Sequence, residues 1–276
     1  TPAEGEPRKA RWTREFRAGV RTLRGCTSLL LTLDEQGLAM EERCEDPAQR
    51  AIIDESGCHM MRRTRTDGVV TEESCFDEEG RPVNDNRGIH TSRSKLSPEG
   101  WVTEVGYSNA AGEPVTTADE GCARVRYDID SGGTKVGATC LNSGGLPNQI
   151  AGSQSTGWKG RADANGCLVE TTWVDIAGLA TEHQNIVTSR DIVDARCAIL
   201  EHQTVDRDGA LKMSSLWTAA RTTYVRNAEG LVTREQCWGD KGVPISCGFA
   251  QTGKTAGTVV SFSYDERGRQ TEKRAF

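Results

Sequence analysis

The chain has 276 residues, of which 36% are hydrophobic and 5% aromatic, and its formal net charge is −6 from 34 basic and 40 acidic residues. Charges of both signs are mixed along the sequence, which favours neither a basic nucleic-acid-binding face nor a charged tail. The longest apolar stretch, around Leu29–Leu31, is too short to cross a membrane. We therefore expect no nucleic-acid partner and no membrane span.

Ten cysteines without any Cys-x-x-Cys spacing favour disulfides over zinc or redox sites. The chain begins at Thr1 with neither an initiator methionine nor a signal peptide. We interpret it as a secreted, periplasmic or cell-surface protein whose signal peptide has been removed. The polar residues 1–20 are predicted to be a flexible lead-in, compatible with a lipid tether at the N-terminus, and residues 21–276 to form a single β-repeat domain.

A turn ending in glycine recurs along this domain at intervals of 31–38 residues, with a cysteine once in the glycine position: Gly37, Gly68, Gly100, Gly133, Gly166, Cys197, Gly230 and Gly268. We call these the hairpin-turn residues. A second turn position follows the first seven of them by twelve residues: Gln49, Gly80, Gly112, Gly145, Gly178, Gly209 and Gly242. Glycine adopts the positive φ of such turns at the least cost, so the pattern predicts about seven tandem repeats.

The segments between the two turns read as β-strands. VVTEESCF at 69–76, WVTEVGYS at 101–108 and LVTREQCW at 231–238 are rich in Val, Thr and aromatic residues, and no long helical period occurs. We predict an all-β fold of tandem β-hairpins in an elongated twisted sheet or solenoid, with a closed β-propeller as the alternative. A two-residue hairpin tip would place Arg93 opposite Glu104 and Arg190 opposite Glu201, unless a bulge shifts the register.

The cysteines follow the same repeat. Four of them lie seven residues after a hairpin-turn residue. Three of these four have a partner ten or eleven residues before the same turn residue, and the resulting couples are separated by 18, 17 and 18 residues. The four cysteines outside these couples are assigned by turn proximity and elimination. The predicted disulfides are Cys26–Cys44, Cys58–Cys75, Cys122–Cys140, Cys167–Cys197 and Cys237–Cys247.

Two stretches, RYDIDSGG at 126–133 and FSYDERGRQTE at 262–272, carry a Tyr-Asp pair. With them the repeat resembles the YD-type hairpin repeats of the RHS family, over most of residues 30–276. The resemblance implies a long spiralling β-sheet of the kind found in cell-surface or toxin shells. The sequence has no toxin domain or autocleavage motif, so only the architecture is carried over.

Motifs for chemistry are sparse. GFAQTGKT at 248–255 has the spelling of a P-loop, but a strand-like segment follows it where a helix is required, so we expect no nucleotide cofactor. His59 and His90 occupy one position in adjacent repeats, and two imidazoles without a carboxylate make a weak metal site. The acidic segment Asp77–Glu79 is more typical of a turn than of a calcium site or an acid–base pair. We assign no metal and no catalytic residue.

The tryptophans give the strongest functional indication. Trp158, Trp173 and Trp217 lie in or near cysteine positions and are interpreted as core replacements for absent disulfides. Trp238 and its counterpart Phe76 follow inward-facing cysteines, so they should point outward and contact a ligand, unless they pack on a neighbouring loop.

We therefore predict a non-enzymatic secreted or cell-surface protein that binds a protein or glycan. The alternative is a structural spacer or shell element of the cell envelope. Exposure of Phe76, Trp238 and the loop 243–257 would favour binding, whereas their burial would favour the structural role.

Overall fold

A computed structural model describes residues 8–13, 26, 28–214, 219–247 and 258–276. Across these ranges the protein consists of β-strands, turns and loops, and no helix is present. The all-β prediction is confirmed. It follows that the described part of the chain offers no helix with the length and hydrophobicity of a membrane span.

The chain divides into two compact units. The first comprises residues 1–126 and 140–146, and the second comprises residues 127–139 and 147–276. The strands are β1 Arg8–Thr13, β2 Ser28–Leu33, β3 Ala39–Glu45, β4 Met60–Thr66, β5 Val69–Phe76, β6 Thr91–Leu96, β7 Val102–Ser108, β8 Arg124–Ile129, β9 Lys135–Leu141, β10 Gly157–Ala162, β11 Leu168–Val174, β12 Thr188–Val193, β13 Ile199–Val205, β14 Arg221–Arg226, β15 Val232–Trp238, β16 Pro244–Ile245, β17 Val259–Tyr264 and β18 Gln270–Ala275.

Strand pairing is antiparallel and follows chain order within each unit. In the first unit the pairs run without interruption from β1–β2 to β7–β8. In the second unit they run from β9–β10 to β14–β15, and β15 then pairs with both β16 and β17. A continuous run longer than four strands is an open sheet of tandem hairpins, and it excludes separate four-stranded propeller blades. Strand β1 lies within the segment predicted to be a lead-in.

Every turn position predicted from the repeat has a positive φ, including the two occupied by Gln49 (63°) and Cys197 (60°). In the first hairpin turn the Oδ1 atom of Asp34 accepts hydrogen bonds from the backbone N–H groups of Gln36 and Leu38, at 3.0 and 2.8 Å. Such side-chain acceptors satisfy turn N–H groups that the sheet leaves unpaired. The acidic turn residues are therefore structural.

The predicted hairpin register is wrong. Glu104 faces Lys95 rather than Arg93, and Glu201 faces Ile192 rather than Arg190. The expected pairing lies two residues too far from the turn, because a two-residue tip that ends in glycine already sets the residue four after that glycine opposite the residue five before it. The β6–β7 tip has five residues, 97–101, and the β-bulge beside it restores that same pairing. A shift of two keeps every side chain on its original face, so the inward and outward assignments survive.

Several arginine–glutamate pairs join consecutive hairpins, in addition to those that join the two strands of one hairpin. Arg62 lies opposite Glu41 with 3.0 Å between Nε and Oε2. The same pair recurs as Arg93–Glu72 at 2.8 Å and Arg190–Glu170 at 3.1 Å. Directly opposed charges of opposite sign support strand pairing, so these pairs help to hold one repeat against the next.

All five predicted disulfides are confirmed, with Cα–Cα distances of 5.2–5.5 Å. Their geometry differs from the prediction in one respect, because the partners do not face each other across a hairpin. Cys75 faces Met61, and Cys58 lies just before β4, so the disulfide ties the entry of one strand to the end of the next. Most of the cysteines are buried among few other apolar side chains, so disulfides form much of a thin core. They also indicate an oxidising compartment.

Candidate binding surface

Phe76, the last residue of β5, is half-buried beneath an arginine. The guanidinium carbon of Arg62 lies 4.5 Å from the ring centroid of Phe76, and the ring of His90 meets it edge-on at 5.3 Å. On the backbone, Phe76 forms a bridge with Pro82 across the second turn. The same guanidinium pairs with Glu41, so the aromatic ring is covered by a cation that is itself held in place.

Trp238 repeats this arrangement in the second unit. It is the last residue of β15, it is half-buried, and it pairs with Pro244 across the second turn. The guanidinium carbon of Arg221 lies 4.8 Å from its ring centroid, and Arg221 pairs with Glu201 at 2.8 Å. A glutamate, an arginine and an aromatic ring are thus stacked in each unit.

The two arginines occupy different positions in their hairpins. Arg62 faces Ser74 on β5, whereas Arg221 faces Trp238 itself. An arginine therefore covers the aromatic ring in both units, although it comes from a different position of its hairpin in each. Both arginine side chains keep substantial exposure, 49% for Arg62 and 39% for Arg221. In each unit a guanidinium therefore covers an aromatic ring. Phe76 and Trp238 are neither exposed, as the binding prediction expects, nor buried, as the structural alternative expects.

A buried polar cluster occupies a position where other repeats have a disulfide. Trp173 is in the cysteine position of β11, and Ser155 lies eleven residues before Gly166, in the position of its missing partner. The ring of His183 stacks on Trp173 with 3.9 Å between centroids, and its Nδ1 lies 3.0 Å from the Ser155 hydroxyl. Burial lowers the pKa of His183, which favours the neutral imidazole.

This cluster agrees with the interpretation of Trp173 as a replacement for a disulfide, and Trp158 lies directly opposite it on β10. No partner for His183 is evident from the sequence, because the three side chains come from different segments of the chain. The Ser155–His183 contact resembles a nucleophile–base pair, but Ser155 has no exposed surface. A substrate has no access to that hydroxyl, which makes the contact structural.

The remaining candidate residues have structural surroundings. His90 Nδ1 lies 2.7 Å from the carbonyl oxygen of Cys75 and donates a hydrogen bond to it. His202 Nδ1 lies 2.7 Å from a carboxylate oxygen of Asp191. Within the described ranges, the one group of three potential metal ligands contains Cys237 and Cys247, whose sulfur atoms form a disulfide.

Asp77 shows how the acidic turns are held. Its Oδ1 accepts hydrogen bonds from the N–H groups of Glu79 and Arg81, and its Oδ2 accepts one from the Arg81 guanidinium. Desolvation opposes ionisation, but the Arg81 hydrogen bonds outweigh it and the pKa of Asp77 falls below its ordinary value. The P-loop-like segment 248–255 and Trp217 lie outside the described residues.

No family model matches this chain, and no curated protein matches it. Among solved structures, the Tc holotoxin pore of Photorhabdus luminescens is 11% identical, with a TM-score of 0.45 over 90% of this chain and 12% of that one. A TcdB2–TccC3 complex is 12% identical, with a TM-score of 0.44 over 89% of this chain and 12% of that one. The chain thus spans about one eighth of the length of these toxin chains.

A porin-like protein from Bacteroides uniformis is 10% identical, with a TM-score of 0.31 over 90% of this chain and 87% of that one. At such identities and TM-scores these similarities decide nothing about function.

Proposed function

We propose that the chain is a non-enzymatic, secreted or cell-surface β-repeat protein that binds a partner protein through Phe76 and Trp238. The observation that carries the proposal is the repeated stack of a half-exposed arginine on a half-buried aromatic ring, once in each unit. Arginine and aromatic residues, tryptophan above all, are enriched among the side chains that dominate protein–protein binding energy. The disulfides support an extracellular or periplasmic setting.

The absence of catalysis is part of this proposal. Its support is the burial of Ser155, which closes the Ser155–His183 pair to substrate. The other described histidine contacts are to a backbone carbonyl or to an aspartate in a strand pair, as expected for structural hydrogen bonds.

We expect the Phe76→Leu and Trp238→Leu variants to lose partner binding at least tenfold. Leucine keeps an apolar side chain in each position but removes the ring that the arginine covers. The disulfide-bonded chain is used to capture proteins from the secreted and envelope fractions of the producing cells. A captured protein is identified by mass spectrometry, purified, and titrated against the wild type and each variant.

The control is Leu146→Ser, which removes an exposed apolar side chain (66% exposed) from a loop that carries no residue of either stack. It should bind as the wild type does. Equal binding by wild type, Phe76→Leu and Trp238→Leu, at unchanged unfolding midpoints, would exclude these two positions as the interface.

A structural role is the second candidate, favoured by the five disulfides and the ion pairs between hairpins. These crosslinks would suit a spacer or shell element of the cell envelope. Failure of the wild type to enrich any protein over the two leucine variants would favour this role over partner binding.

A further inference from the structure

A polar cleft of about 570 Å³ lies in the second unit and shares no residue with the Trp238 stack. Its lining includes Gln154, Glu182, Gln184, Asn185 and Arg207, which come from three separate turns. Within the described part of the chain, none of these five side chains forms a hydrogen bond or ion pair with another protein group. Their polar groups are therefore available to a ligand.

The rim of the cleft is rigidly built. Gln184 and Asn185 both have positive φ, 52° and 70°, in a two-residue turn closed by hydrogen bonds from His183 N–H to Ile186 C=O and back, at 2.8 and 3.1 Å. This is the backbone of a type I′ turn, which favours glycine or asparagine. Glutamine at its first position is unfavourable locally, and such positions are common at ligand sites.

A buried residue also holds this turn in place. His183, at its start, is buried against Trp173 and bonded to the Ser155 hydroxyl. The amides of Gln184 and Asn185 are therefore carried by a backbone fixed on the buried cluster. Such preorganisation lowers the entropy lost when a ligand is bound.

The hydrogen-bonding groups of the lining indicate the chemical class of the ligand. Each amide offers two donors and an acceptor, arginine offers a fork of donors, and a carboxylate accepts only. This mixture matches adjacent hydroxyl groups, each of which donates and accepts. Glu182 and Arg207 contribute opposite charges to one cleft, so a ligand without net charge is favoured. The volume is within the usual range for small-molecule sites.

We propose that this cleft binds a neutral oligosaccharide through Gln154, Glu182, Gln184, Asn185 and Arg207. The proposal does not depend on the partner-protein function. The Phe76→Leu and Trp238→Leu variants are expected to bind the oligosaccharide as the wild type does, so failure of one proposal is distinguishable from failure of the other.

The test begins with the disulfide-bonded chain on an array of neutral oligosaccharides and matched oligosaccharides that carry a uronic or sialic acid. The strongest neutral oligosaccharide is then titrated by calorimetry against wild type and the double variant Gln184→Gly/Asn185→Gly. Glycine suits the positive φ at both positions, so the variant removes the amides while the turn is retained. We expect at least a tenfold loss of affinity without a lower unfolding midpoint.

The matched control is Gln49→Gly, the same kind of change at a positive-φ turn position in the first unit. It should leave affinity unchanged. Three outcomes would overturn the proposal: an array on which the wild type binds nothing, binding confined to acidic oligosaccharides, or full affinity in both the double variant and Arg207→Met.

Discussion

Replacing Gly157 with alanine is expected to lower the free energy of unfolding of the second unit by about 3 kcal/mol. Gly157 opens β10 and lies opposite Thr139 on β9. A Cβ atom at this position would collide with the carbonyl oxygen of Ala138 and lie 2.9 Å from its carbonyl carbon. Backbone atoms cannot move aside as a flexible side chain can, so β9 and β10 must separate.

The measurement is the thermal unfolding midpoint under non-reducing conditions, where we expect a decrease of roughly 6–12 °C. Gly106→Ala is the matched control, because Gly106 also lies where one hairpin pairs with the next. A Cβ there would meet only the Arg124 side chain, at the ordinary contact distance of 3.5 Å. Equal midpoints for the two variants would contradict the close approach of β9 and β10.

Removing the disulfide between adjacent hairpin turns is expected to have a similarly large effect. Cys167 and Cys197 are 30 residues apart. In the chain-entropy model, Cys167→Ser/Cys197→Ser should lower the free energy of unfolding by about 3.6 kcal/mol, because the unfolded chain is no longer constrained. Denaturant unfolding of wild type and variant measures the difference.

A second variant separates the effect of the crosslink on stability from the effect of the backbone conformation at residue 197. Cys197 occupies a hairpin-turn position with φ of 60°, where glycine is otherwise found. Cys167→Ser/Cys197→Gly should therefore be about 1 kcal/mol more stable than the double serine variant, because glycine adopts this conformation without the penalty of a side chain. Identical stability of the two double variants would contradict a left-handed residue 197.

The turns and the disulfides could be predicted from the sequence because both depend on local spacing. A positive-φ turn leaves a glycine at intervals of 31–38 residues, and six of the cysteines lie at nearly constant distances from that glycine. The lengths of the tips and the bulges could not be predicted, because glycine marks the end of a turn without giving its length. Asp67 and Gly68 form the two-residue tip that was assumed, but that hairpin has a bulge between Thr64 and Arg65, whereas the β6–β7 tip has five residues and a bulge.

The candidate sites were predicted only in part. Phe76 and Trp238 were found because they share one position of the repeat, but the arginines that cover them do not. Gln184 and Asn185 were missed because the turn that carries them is not at either of the two periodic turn positions. Contacts between repeats depend on how the strands align, and spacing within a repeat does not specify that alignment.

The central claim is that one repeat determines which cysteines are joined. Proteolysis of the unreduced protein, followed by mass spectrometry of the linked peptides, tests it most directly. The account predicts Cys26–Cys44, Cys58–Cys75, Cys122–Cys140, Cys167–Cys197 and Cys237–Cys247. A peptide pair linking Cys44 to Cys75, which occupy the same position of two successive repeats, would contradict it.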